Sequence, residues 1–69
     1  MKFNMVNLGY RSTPDYPYNY RIELVDYTLD EWTAVYAWLA DLKIPRTFAG
    51  RDVIYLRKKD ATMFALRYT

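Results

Sequence analysis

"NYRIELVDYTLDEW", residues 19–32, decides the fold. Its first half alternates. Tyr20, Ile22 and Leu24 point one way, while Arg21 and Glu23 point the other, joined by Val25, so 19–26 reads as a strand. The period then changes. Thr28 and Glu31 stand at the S/T-x-x-E spacing of a capping box, in which each residue satisfies a backbone N–H of the other. Tyr27 and Trp32 flank that cap as a hydrophobic staple, and Asp30 and Glu31 suit the positive end of the helix dipole. A helix therefore starts at 29. It runs to 43, because Pro45 pushes Ile44 away from helical angles. Its apolar stripe is Trp32, Val35, Tyr36, Leu39 and Leu42. Trp38 lies beside the stripe, which suggests either a second buried surface such as a dimer contact or a ring lying over the sheet edge.

Upstream, 2–8 is a shorter strand with Phe3 and Met5 in phase and Val6 and Leu8 out of phase; it can lie at a sheet edge or pair with another chain. The loop 9–18 is punctuated by Gly9, Pro14 and Pro17, and Tyr10, Tyr16, Tyr18 and Tyr20 cluster there. Tyrosine supplies contact area at low entropic cost, so this loop is a binding candidate; alternatively, its rings cover the end of a small core. Downstream, "PRTFAGRDVIYL" reads as a turn into a hairpin or an extended approach, with Gly50 or Asp52 at a tight turn. Residues 52–57 form a strand with Val53 and Tyr55 on one face and Ile54 and Leu56 on the other, so it is central or covered on both sides. A short helix, 60–67, follows, with Ala61, Phe64, Ala65 and Tyr68 sharing a face. The expected fold is α+β: a small antiparallel sheet of two or three strands with one main helix and a short C-terminal helix, in the order ββαβα. A ferredoxin-like half completed by dimerisation is the favoured architecture.

At 69 residues the chain is one domain, and a chain this small buries only about 60% of its unfolded surface. It has no Cys and no His, which removes disulfides, the usual zinc sites and Cys or His catalysis. Packing and self-association remain as sources of stability, and 19% aromatic residues suit both, so a homodimer is expected. No apolar stretch of signal-peptide or membrane-span length opens the chain, so a cytoplasmic protein with no membrane partner is expected. The two glycines form no phosphate-cradling loop, and Ser12 has no evident base nearby. No enzymatic activity and no cofactor are expected.

Charge is uneven. Residues 1–42 hold three basic and six acidic residues, a net −3, while residues 43–69 hold seven basic and two acidic residues, a net +5. The asymmetry fits an anionic partner, or two halves that attract each other. The sharpest candidate is the basic junction Arg57, Lys58 and Lys59, placed before a helix N-terminus and joined by Arg46 and Arg51. The last 16 residues, with Asp60, Ala61, Phe64, Leu66, Arg67 and Tyr68, resemble the endings of short uncharacterised tailed-phage proteins, which run strand, charged turn, then this pattern. The resemblance implies a phage-encoded accessory protein and no particular activity. The leading expectation is a module that binds another protein through Tyr16, Tyr18, Trp38 and the basic corner. The alternative is a small nucleic-acid binder using Arg46, Arg51, Arg57, Lys58 and Lys59.

Overall fold

The computed structural model describes residues 1–9 and 17–68. Six elements follow in order: β1 (Lys2–Asn7), β2 (Tyr20–Val25), α1 (Leu29–Asp41), β3 (Arg46–Phe48), β4 (Val53–Leu56) and α2 (Lys58–Tyr68). The strands form one antiparallel sheet in the order β1-β2-β4-β3. β2 and β3 both run antiparallel to β4 and hence parallel to each other, so β2, α1 and β3 make a split βαβ unit with β4 inserted between its strands.

The class is α+β as expected, but the sheet has four strands rather than two or three, and the order is ββαββα rather than ββαβα. The added strand is β3. Three residues are too few to show a period, so its hairpin with β4 was only one of two readings of that stretch. The sheet also needs no second chain to reach four strands, because β1 already lies beside β2.

The register places Phe3, Met5, Tyr20, Ile22, Leu24, Arg46, Phe48, Ile54 and Leu56 on one face. Both helices pack there. Ile22, Leu24, Ile54 and Leu56 are buried against Val35 and Leu39 of α1 and Ala61 and Phe64 of α2. The opposite face carries Lys2, Asn4, Val6, Arg21, Glu23, Thr47, Val53 and Tyr55, of which only Val53 is buried.

The capping box of α1 forms as read. Thr28 N–H donates to Glu31 Oε1 at 2.9 Å, and Glu31 N–H donates to Thr28 Oγ1 at 3.2 Å. The helix ends earlier than position 43, for a local reason. Lys43 takes a left-handed backbone (φ 53°) and donates to Ala40 O, while Ile44 donates to Leu39 O. This is the Schellman arrangement, and its hydrophobic pair, Leu39 and Ile44, is buried in the core. The end is thus fixed before Pro45 acts. Leu42, expected in the apolar stripe, is left 52% exposed as the cap residue.

α2 starts two residues before the expected position 60. Arg57 O accepts the first helical bond, from Ala61 N–H, so Asp60 lies inside the first turn. Asp60 is 2% exposed and accepts from Arg57 Nε at 2.7 Å. β4 likewise spans Val53–Leu56 rather than 52–57, and it is central, as its two apolar faces required.

Candidate binding cleft

Trp32 and Tyr36 lie one turn apart on α1, on the side facing β3, and their rings contact at 4.1 Å between centroids. Phe48 of β3 stacks on Tyr36 at 4.6 Å and 8°. Arg46, two residues before Phe48 and on the same face, places its guanidinium 5.8 Å from the Phe48 centroid. At the other end Arg51 lies 5.9 Å from the Trp32 ring. The result is a column, Arg51–Trp32–Tyr36–Phe48–Arg46, along the seam between α1 and the edge strand. Aromatic pairs of this kind contribute about 0.5–1.5 kcal/mol beyond their burial. The carbonyl of Arg51 anchors the column by accepting from Trp32 Nε1 at 2.8 Å and from the Tyr36 hydroxyl at 3.2 Å. Burial pushes the Tyr36 hydroxyl above its ordinary range, Tyr27 adds to that, and Arg46 and Arg51 oppose it.

Where this column ends at Arg46, the chain opens into a cleft of about 600 Å³ lined by Tyr18, Ala40, Lys43, Ile44, Pro45, Arg46 and Phe48. The turn after α1 builds its wall. Arg46 folds back so that NH1 donates to Ile44 O at 2.9 Å, while its buried Nε has no hydrogen-bond partner among the described residues. Lys43 sits on the rim in its left-handed conformation, which costs an L-residue about 1–2 kcal/mol relative to glycine. Among the described residues the lining thus holds two cations, two aromatic rings and no carboxylate. It suits a ligand that brings negative charge and a flat apolar group together.

The residues singled out in the sequence are dispersed. Tyr18 and Arg46 line the cleft. Arg51 lies at the far end of the column, by the β3–β4 turn. Arg57 is committed to the buried carboxylate of Asp60, and removing it would strand that charge. Lys58 and Lys59 are exposed in the first turn of α2, at the dipole end that disfavours cations. The register puts Arg46 opposite Leu56, beside Arg57, whereas Arg51 lies beyond the Phe48–Ile54 pair at the other end of β4. The five cations therefore form no single corner. Tyr16 lies outside the described residues. Trp38 fills the seam between the helices, edge-on to Phe64 and Tyr68 at 6.2 Å each, with Arg67 at 5.6 Å.

Sequence reasoning missed Lys43 and Phe48. Lys43 stands two residues before a proline, the place of a C′ residue, and Phe48 alternates with Arg46; both signals are short. Among the described residues, the ion pairs at Met1–Glu31, Arg21–Glu23 and Arg57–Asp60 each stay within one half of the chain, so they do not join the acidic half to the basic one. No described helix is long and apolar enough to cross a membrane. Comparison with known proteins finds no matching family model, no matching curated protein and no matching solved structure.

Proposed function

We propose that this chain is a non-enzymatic module that binds another protein, and that it does so through the cleft between the end of α1 and β3. The partner segment is acidic and carries an aromatic or similarly flat anchor. One observation carries this reading: Lys43 and Arg46 line an open cleft together with Ile44, Pro45 and Phe48, with no acidic side chain among the described lining residues. The anchor enters against Phe48, while the carboxylates meet the two cations. A buried anchor ringed by charge is how a small interface concentrates its affinity. The resemblance of the C-terminal residues to short tailed-phage proteins supports an accessory role of this kind, acting on a host or phage protein.

Nucleic-acid binding is the second reading, since phosphate and base present the same pair of chemistries. The placement of the cations favours the first. A single strand is tracked by a continuous positive groove, whereas Arg46, Arg51 and Arg57 are divided between the two ends of β4, and Arg57 is already paired.

The test is fluorescence anisotropy with two labelled probes: a short peptide of aspartate and glutamate around a central tryptophan, and a single-stranded oligonucleotide. The peptide should bind. Phe48→Ala and Arg46→Ala should each weaken it about tenfold or more, the ~1.4 kcal/mol of a lost anchor. Oligonucleotide binding that falls steeply with salt, with no peptide binding, would overturn the proposal in favour of the second reading.

A further inference from the structure

We infer that β1 is a homodimer strand: a second copy of this chain adds its own β1 antiparallel to the first, around a two-fold axis at Asn4. This goes beyond the cleft and does not depend on it.

β1 is the terminal strand of the sheet, with β2 on one side and no described strand on the other. Leu8 N–H donates to Asn19 O at 2.9 Å, which fixes the phase of the ladder. Antiparallel pairs alternate between bonded and non-bonded, so Lys2, Asn4 and Val6 bond inward to β2. Phe3, Met5 and Asn7 point their N–H and C=O groups outward. The same alternation on β2 is visible where Leu24 N–H donates to Asp52 O, on the side of β4.

The outward-bonding residues are also those of the helix face. Pairing outward groups with outward groups therefore places the helices of both copies on one side of a continuous eight-stranded sheet. A two-fold axis at Asn4 pairs Phe3 with the partner's Met5, Lys2 with the partner's Val6, and Asn4 with the partner's Asn4. Aromatic meets thioether twice, and no like charges face each other. Met5 explains the need. It stands on the helix face directly opposite Ile22, which is fully buried, yet Met5 is 40% exposed and Val6 45%. Among the described residues β1 lacks two of the usual protections of an edge: its six residues include no proline, and none on the helix face is charged.

Because the chain has no Cys, one introduced thiol reports cleanly. In the proposed register Asn4→Cys faces its own copy in a non-hydrogen-bonded pair, with Cα atoms about 4.5 Å apart, within disulfide reach. Mild oxidation should cross-link it, and Asn7→Cys should stay monomeric. Sedimentation equilibrium of the unmodified chain should give twice the 8.3 kDa of one chain, falling to one chain in Met5→Lys with an unchanged far-UV spectrum. If Met5→Lys fails to fold, a synthetic chain N-methylated at Met5 deletes only an outward donor and should be monomeric. A single-chain mass up to about 1 mM, where association would be worth only ~4 kcal/mol, would overturn the inference. So would a dimer indifferent to both Met5 changes, Asn7→Cys cross-linking as readily as Asn4→Cys, or an extended peptide pairing with β1 while the chain itself stays monomeric.

Discussion

β3 closes its end of the sheet with three residues behind a proline, and only Arg46 and Phe48 turn their backbone groups outward there; β1 offers six residues, of which Phe3, Met5 and Asn7 do so. The side chains differ as well. At β3 the aromatic column and the folded-back Arg46 tie the edge to α1, and the remaining space is a cleft with two cations. At β1 the described ring contact is edge-to-face, Phe3 on Phe64 at 5.0 Å, beside exposed Met5 and Val6. A short, side-chain-covered edge suits recognition by side chains. A longer one with no described strand beside it suits recognition by backbone.

The largest expected effect tests how β1 is held. Phe64→Ala should cost about 3–5 kcal/mol, since Phe64 is fully buried and joins α2 to both Phe3 and Trp38. Amide exchange in β1 should rise more than in β3; equal rises would break the contrast between the edges. Next is Trp38→Ala, worth about 2 kcal/mol through its edge-to-face contacts with Phe64 and Tyr68. It should lower the denaturation midpoint while leaving self-association at the β1 edge alone. A weakened dimer at an unchanged midpoint would return Trp38 to the role of an interface residue.

Thr28→Ala should cost roughly 1 kcal/mol by deleting half of the capping box at the start of the helix that supports β3, and an unchanged urea midpoint would contradict that reading. Lys43→Gly should act in the other direction. It relieves the left-handed backbone and should stabilise by about 0.5–1 kcal/mol, while weakening the acidic probe through the lost charge. If stability falls instead, the rim of the cleft is not strained in the way described.

The smallest effect concerns pH. The Glu31 carboxyl is held below its ordinary value of 4.5, first by the hydrogen bond from the Met1 amino group at 2.7 Å and then by the Thr28 backbone. A depressed carboxyl adds stability above its unfolded value and loses it as pH falls through the folded one. Melting temperature should therefore decline below about pH 4.5, and less so in Glu31→Gln. Equal declines in the two would remove Glu31 from the account.

What was legible in the sequence followed the reach of each signal. The Thr28–Glu31 box and the alternation of Tyr20, Ile22 and Leu24 are local and redundant, and both appear as read. So does the central place of β4, because apolar residues on both faces leave few alternatives. β3 was only half legible: three residues carry no period, and its pairing with β4 depends on Gly50 turning with φ 79°. The grouping of basic residues failed for a different reason. Neighbours in sequence are not neighbours across a hairpin, and register alone separates Arg51 from Arg57. The cleft was half visible, through Tyr18 and Arg46, while its other side comes from the end of α1, which no spacing in the sequence joins to Phe48.

The most direct measurement is one set of amide NMR spectra, recorded on a dilution series and then on a titration with the acidic tryptophan peptide. Two separate sets of shifts are expected. Dilution moves Phe3, Met5 and Asn7 and leaves the cleft still. The peptide moves Lys43, Ile44, Arg46 and Phe48 and leaves β1 still. Shifts that appear at both edges in both experiments, or peptide shifts gathered at Arg57, Lys58 and Lys59 instead, would contradict it.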